Sequence, residues 1–474
     1  MRDSSLGRGF RVILLLAVLL TVLVGVGLLV PSHPRLAVVG AVGVLALGIA
    51  SISPSFIPLL CVPVLILVAR VSIGGVQLSV SDVALATATL PALAFGQRPY
   101  STSMRTLLWL NAGYQFATLF TVVNNPYTAN AVEWVHAWFL ISGALVVGWT
   151  VGRHGAGRLG LTLLMGSIVL LALVTLVQAT RQYLSGDFSE VYVTWPYDMH
   201  KNFVGGICAI GATIAYVRPV WMRWSSRVAL PVFGFLVAAI LVTQSRQALI
   251  GLVASLVVVV LRTRSDRRRS KLVLLLAVPA LVGVTLMVRD QVRSGNRFNS
   301  VFQRLNWFQD SLTVWGTDPW FGAGLRWWYT DRFPVRFQPP NAEIEVLTTA
   351  GVVGLAAFLV MVVGSLVVLG RMDPLYGTLA LAVLICRLAQ TQFDLYWVTS
   401  QASIPLVVVG ICLGTQAHAA AAVLQPVAAR SVKDGSTTHE PTRVLELPRP
   451  RGQATWVRHV PPVHTAVGPA ESRR

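Results

Sequence analysis

The chain has 474 residues, 54% of them hydrophobic and 12% charged, with Lys+Arg 38 against Asp+Glu 19 for a formal net charge of +19. A soluble globular protein carries about 25% charged residues, so this composition excludes a soluble enzyme and a disordered chain. No single face gathers the arginines, which argues against nucleic acid as a partner. The four cysteines (Cys61, Cys208, Cys386, Cys412) sit singly in apolar runs without disulfide or metal-ligand spacing.

A helix needs about 20 mostly apolar residues to cross a bilayer. On that measure the sequence predicts an all-α, polytopic integral membrane protein of about 12–14 transmembrane helices, with one large extracytoplasmic loop. Candidate spans lie near 12–30, 36–53, 55–73, 78–95, 105–123, 131–151, 159–179, 202–217, 227–243, 247–262, 271–289, 343–369, 374–391 and 396–415. Pro54 separates the second from the third, and Ser79, Ser81 and Asp82 dilute the fourth. The first follows Arg2, Arg8 and Arg11 as in a signal peptide, but no small-x-small cleavage site follows Val30, so it is retained as a helix.

Those arginines predict a cytoplasmic N-terminus. Alternation then places Arg98 to Arg105, Arg153 to Arg158, Arg218 to Arg227, the run 262–271 and Arg371 on the same side, as basic loops require. The chain divides into a membrane domain over 1–415 and a tail over 416–474. The tail is rich in Pro, Ala, Thr and Arg, and is expected to be disordered, basic and cytoplasmic, lying on anionic lipid.

Two external segments exceed simple turns. One runs from Arg181 to Lys201; the other, 290–342, holds Trp307, Trp315, Trp320, Trp327 and Trp328, five of the chain's 14 tryptophans. That aromatic content predicts a folded loop over the outer face, most of its tryptophans anchoring at headgroup depth. Sugar stacking is the other use of such rings.

Four stretches carry chemistry. Thr243-Gln244-Ser245-Arg246-Gln247 puts an arginine in an external turn. It either snorkels to headgroups or serves as a fixed cation for a phosphate. Arg304, one turn before Trp307 and Phe308, precedes Asp318-Pro319-Trp320-Phe321-Gly322-Ala323-Gly324-Leu325-Arg326, where Gly322 and Gly324 permit a tight turn and close backbone approach. The plain alternative is a surface helix ending in a turn. Pro339-Pro340-Asn341 launches a helix with Glu343 and Glu345 in its first turn. Both acids suit the helix dipole, while Glu345 lies near the hydrocarbon boundary, where an ionised carboxylate needs a partner and can act as a base. Asp198-Met199-His200-Lys201-Asn202 stands at another external helix entrance, and Arg387, Gln390 and Asp394 predict a polar stripe on one helix.

Taken together these stretches resemble the O-antigen ligase/polymerase family of membrane glycosyltransferases. The matching residues are Ser245-Arg246-Gln247, His200-Lys201-Asn202, Arg304-x-x-Trp307 leading to Asp318-Pro319-x-Phe321-Gly322-x-Gly324, and Asn341-x-x-x-Glu345 followed by Gly351 and Gly354; Ser81-Asp82 also fits. The resemblance covers roughly 195–370. It implies a polyprenyl-pyrophosphate-linked glycan donor (undecaprenyl in the family), a glycan or lipid acceptor, and multi-pass residence in a bacterial cytoplasmic membrane with both termini inside. Neither metal nor other cofactor is expected. Arg246 and Arg304, with Arg326 and Lys201, would hold the pyrophosphate; Asn202, Trp307 and Asn341 would contact substrate. One departure stands out. The family's motif histidine is replaced by Pro340, which cannot transfer a proton. Glu345, Glu343 and His200 are the candidate bases, Glu345 first; pyrophosphate departure without a base, or a chain that has lost activity, are the alternatives. The rival functions are a lipid-linked glycan transporter or flippase and an inactive scaffold that partners polysaccharide-export proteins.

Overall fold

The computed structural model describes residues 48–73, 76–262, 300–395 and 399–433, with isolated positions outside those ranges. The spans expected at 12–30 and 271–289, and most of 36–53, lie outside the described residues. Met1–Val423 forms one compact unit and Leu424–Arg474 a second.

In chain order the first unit contains α1 (Phe56–Val64), β1 (Arg70–Ile73), β2 (Val76–Ser79), α2 (Val80–Phe95), α3 (Thr102–Asn124) and α4 (Thr128–Trp138). A π-turn at Phe139–Gly143 joins α4 to α5 (Ala144–Arg153), and α6 (Gly157–Leu184), α7 (Lys201–Val217), α8 (Ser226–Thr243) and α9 (Arg246–Leu261) follow. After them come α10 (Ser300–Trp315), α11 (Ala342–Arg371), α12 (Pro374–Thr391) and α13 (Thr399–Lys433), the last of which continues past Val423 into the second unit. Among the described residues six helices are long and apolar enough to cross a membrane: Thr128–Arg153, Gly157–Leu184, Ser226–Thr243, Ala342–Arg371, Pro374–Thr391 and Ser400–Val423. Val80–Phe95, Lys201–Val217 and Arg246–Leu261 are shorter apolar helices. The fold is that of an all-α polytopic membrane protein.

Three boundaries differ from the sequence reading. The span expected at 55–73 ends at Val64 and gives way to an antiparallel hairpin pairing Arg70 with Ser79 and Ile73 with Val76. Alternation of Val71, Ile73, Val76 and Leu78 with polar residues suits a strand. Helix α3 has the length of a span but not its hydropathy, because Asn111, Gln115, Thr118 and Thr121 are buried on its inner face. At the other end, α13 reaches Lys433, so 416–433 is helical rather than disordered; the alanine run at 419–422 favours helix strongly. Residues 434–474 lie outside the described residues.

The helices start where polar caps permit. Ser79 and Asp82 form a reciprocal capping box at α2. Ser101 Oγ accepts from Met104 N–H at 3.2 Å, Asn341 Oδ1 from Ile344 N–H at 2.9 Å, and Asp373 Oδ1 from Leu375 N–H at 2.9 Å. The core centres on α7, nearly every residue of which from Phe203 to Val217 is buried. It packs against α6, α8, α9 and α12, while α11 packs against α3 and α12.

Helix α11 is broken. Gly351 adopts φ 65°, ψ −167°, so Val352 and Val353 do not donate to Thr348 and Thr349 as a continuous helix would require. The long segment between α10 and α11 fills the notch. Ala323 N–H donates to Thr348 O at 2.9 Å and Gly324 N–H to Thr349 O at 3.0 Å; Val352 N–H donates to Pro319 O at 2.9 Å and Val353 N–H to Trp320 O at 3.3 Å. Two helical hydrogen bonds are lost and four inter-segment ones replace them. A Cβ at Gly351 would collide with the Trp320 carbonyl, and one at Gly322 with the Thr349 backbone. These glycines are therefore the contact surfaces of the insertion.

The loop has a small core of its own. Val314, Ala323 and Trp327 are buried together, with Phe333, Val335 and Phe337 packed around them. Trp327 is thus loop core rather than a headgroup anchor, while Trp320 is 65% exposed. Trp307 stacks on Phe337, the ring centroids 5.7 Å apart.

Candidate functional site: an arginine pair beside a carboxylate-lined cavity

The α8–α9 turn is made by Gln244 in the left-handed region (φ 51°, ψ 29°), which places Arg246 as the first residue of α9. Gly205 lets α7 approach that turn, since a Cβ there would sit 2.6 Å from Ser245 Cβ. Three side chains then converge on Asn202. Ser245 Oγ donates to its Oδ1 at 3.3 Å, and its carbonyl accepts from Gln247 Nε2 at 2.9 Å and Gln401 Nε2 at 3.2 Å. Asn202 is thereby built into the junction of α7, α9 and α13. Gln247 Nε2 also donates to Asp394 Oδ2 at 2.9 Å, just past the end of α12. The expected polar stripe spans two segments: α12 ends at Thr391, and Arg387 Nη2 reaches beyond it to Leu395 O at 2.7 Å.

Arg304 on α10 lies within the electrostatic reach of this junction. Burial holds its guanidinium below the ordinary arginine value; Asp394 opposes that shift and the nearby positive charge of Arg246 adds to it. The two arginines, on separate elements, therefore share one electrostatic neighbourhood, with Glu190 acting on Arg246 as counter-charge. Asp394 is pushed above the ordinary carboxylate value by burial, against the pull of Arg387, His200 and Arg304. Lys201 is engaged nearby, its Nζ 3.0 Å from Glu190 Oε1.

His200 caps α7, its Nδ1 accepting from Asn202 N–H at 3.2 Å. Burial chiefly, and Lys201 secondarily, hold its pKa below the ordinary histidine value, while Asp394 and Glu190 pull upward. In that neutral, capping tautomer the proton sits on Nε2, so His200 presents a donor.

His200 and Leu395 also line a cavity of about 770 Å³ that the segment between α10 and α11 helps to wall through Leu325, Arg326, Trp328 and Gln338. Glu345 lines it as well, fully buried, with its Oε1 accepting from Gln338 Nε2 at 2.7 Å. Glu343, two residues earlier, turns away and accepts from Gln392 Nε2 at 2.9 Å; Asn341 Nδ2 donates to Gln392 O at 3.2 Å. Pro340 is buried at the start of this helix.

A polar relay that the sequence reading missed also borders the cavity. His136 of α4 places Nε2 3.1 Å from Asp82 Oδ1 of α2 and Nδ1 3.2 Å from Glu133 Oε2, and Glu133 in turn pairs with Arg326 Nε. Asp82 Oδ2 further accepts from Ser79 N–H at 2.9 Å and Ser79 Oγ at 2.7 Å. The structure thus sets Arg246 close enough to act on Arg304, links Lys201 and Arg246 through Glu190 and His200 and Arg304 through Asp394, and takes Arg326 to Glu133 instead. The available signal was Glu133 and His136 at i, i+3 inside an apolar stretch, the spacing of helical neighbours.

No curated protein matches the chain at a significant level. Residues 231–359 match the family model of O-antigen ligase. That stretch carries Arg246, Arg304, Trp307, Arg326, Asn341, Glu343 and Glu345, and His200, Lys201 and Asn202 precede it. The match supports a membrane glycosyltransferase-like role in surface polysaccharide assembly, with lipid-linked glycans as the implied class of substrate. The arginine turn, the loop arginine and the break at Gly351 all lie within the stretch that matches the O-antigen ligase domain.

Proposed function

We propose that this protein transfers a glycan from a polyprenyl-pyrophosphate donor to a glycan or lipid acceptor at the outer face of a bacterial cytoplasmic membrane, polymerising or ligating surface polysaccharide. The observation that carries this reading is the convergence of Arg246 and Arg304 from different elements onto one partly buried region. Two like charges held together are relieved by an anion, and guanidinium forks match diphosphate oxygens in a way a single cation does not. As the glycosidic bond to the diphosphate breaks, charge grows on the leaving oxygen. Donors preset around that oxygen stabilise the transition state more than the ground state. The acceptor hydroxyl attacks the anomeric carbon from the opposite face and inverts it.

Among the three candidate bases the geometry favours Glu345. It is buried on the cavity wall and held in place by Gln338, whereas Glu343 faces Gln392 and the free nitrogen of His200 carries a proton. The test is reconstitution of the full chain in nanodiscs with a polyprenyl-pyrophosphate oligosaccharide, following product length. Arg246→Ala is expected to lower turnover by about 10²–10³-fold, and Glu345→Gln to lower kcat while leaving the donor KM unchanged. Full activity in Arg246→Ala would overturn the reading.

One observation favours a second reading. Asp82, Glu133 and His136 form a titratable cluster inside two apolar helices, as proton-coupled transporters do. Lipid-linked glycan crossing liposomes in response to a pH gradient, without bond transfer, would select it.

A further inference from the structure

Gln115 lies in the interior of α3, 1% exposed, on the wall of the cavity. Its Nε2 and Oε1 are both buried and meet no hydrogen-bond partner among the described residues. A buried amide left without partners is costly and is retained where something else satisfies it. A carboxamide offers a donor and an acceptor side by side, the complement of a sugar hydroxyl, which is itself both. The charge of the same wall narrows the choice. Asp82, Glu133, Asp198 and Glu345 line the cavity against Arg70 and Arg326, with His136 behind Asp82 and Glu133; Arg326 and Glu133 offset each other, and Asp198 and Glu345 leave the carboxylates in excess. A carboxylated or phosphorylated sugar would meet an excess of like charge in a low-dielectric space.

We propose that the cavity is the acceptor subsite, that it takes an uncharged oligosaccharide, and that Gln115 reads the acceptor's hydroxyls. The proposal rests on the transfer reading above, which assigns the donor diphosphate to Arg246 and Arg304. During transfer the acceptor O–H bond breaks as its oxygen bonds the anomeric carbon. The old bond from that carbon leaves its electron pair on the diphosphate oxygen, and the proton passes to Glu345. Discrimination between neutral and acidic acceptors is thus set at the carboxylate wall, apart from the arginines.

The experiment titrates the full chain in nanodiscs with maltohexaose, cellohexaose and mannohexaose, and with hexagalacturonate and hexamannuronate, read by tryptophan fluorescence with Trp328 on the cavity wall. At least one neutral hexaose is expected to bind saturably and at least 10-fold more tightly than either acid. Gln115→Leu, which suits an apolar helix, is expected to weaken that binding at least 10-fold. In the reconstituted transfer assay it should raise the acceptor KM by a similar factor and leave the donor KM unchanged. Gln115→Glu keeps the size, adds a further carboxylate, and is expected to weaken neutral binding while excluding the acids altogether. Binding of no hexaose, acid binding equal to neutral, or unchanged affinity in Gln115→Leu would overturn the proposal. The two readings fail separately. A wild type that transfers nothing but binds neutral hexaoses through Gln115 ends the transfer reading alone, and transfer with an unaltered acceptor KM in Gln115→Leu ends the subsite alone.

Discussion

His200 caps α7 through Nδ1 and lines the cavity. Because burial depresses its pKa below the ordinary 6.5, the folded protein resists protonation there. The stabilising contribution is therefore complete above pH 6.5 and is lost as pH falls through 6.5 toward the folded value, where the unfolded chain takes the proton first. Asp394, raised by burial, acts oppositely: its carboxyl favours the folded state when protonated, and that contribution fades as pH rises through its folded value. His200→Asn keeps a capping oxygen and removes the histidine term. Its Tm is expected to fall less than that of wild type between pH 7.5 and 5.5 in nanodiscs. Parallel Tm curves would refute the histidine's share. At this scale Arg246 and Arg304 were legible because an arginine in an external turn, or before loop tryptophans, is out of place. Glu133 and His136 were not, since the hydropathy of 131–151 averages over two polar residues and nothing in sequence joins them to Asp82, fifty residues earlier.

The broken α11 is the element that fixes the site, because it holds Glu345 on one side of the notch and receives the loop segment bearing Arg326 on the other. Further ties secure that segment. Asn130 Oδ1 accepts from Leu325 N–H at 2.9 Å, Tyr127 OH donates to Leu325 O at 2.6 Å, and Asn125 Nδ2 donates to Gly322 O at 3.0 Å. Gly351→Ala would place a side chain at a backbone conformation (φ 65°, ψ −167°) essentially reserved to glycine, at about 1–3 kcal/mol, and against the Trp320 carbonyl. The expected result is faster proteolysis within 316–332 and at least a tenfold loss of transfer, with membrane insertion retained. A protected loop would show that the insertion does not depend on this glycine. Gly322 and Gly324 announced a tight turn and close approach. The partner of that approach was hidden, because the contact joins segments about thirty residues apart through backbone atoms that carry no sequence signature.

For the whole molecule, the apolar lengths of α6, α8, α11 and α12 made the membrane fold readable. The hairpin at 70–79 and the helix past 415 were read differently, where short β-branched alternation and an alanine run compete with composition. Orientation follows from charge: the candidate site and the 185–200 segment should face outward, and the basic turns inward. All four native cysteines are buried, so single introduced cysteines can report this without background. Ser189→Cys is expected to react with a membrane-impermeant maleimide in intact cells, and Gln97→Cys only after permeabilisation. The reverse pattern would place the arginines on the wrong side for a lipid-linked donor presented outside.

The notch at Gly351 is plugged by the chain's own loop, so its two carbonyls and two amides never face hydrocarbon unmatched. A foreign loop grafted between α10 and α11 would have to bring a plug of the same shape, or leave those groups bare. Acceptor preference in this architecture can therefore drift by point replacement around the chamber, while wholesale loop exchange between relatives is barred unless helix and loop travel as one inherited module.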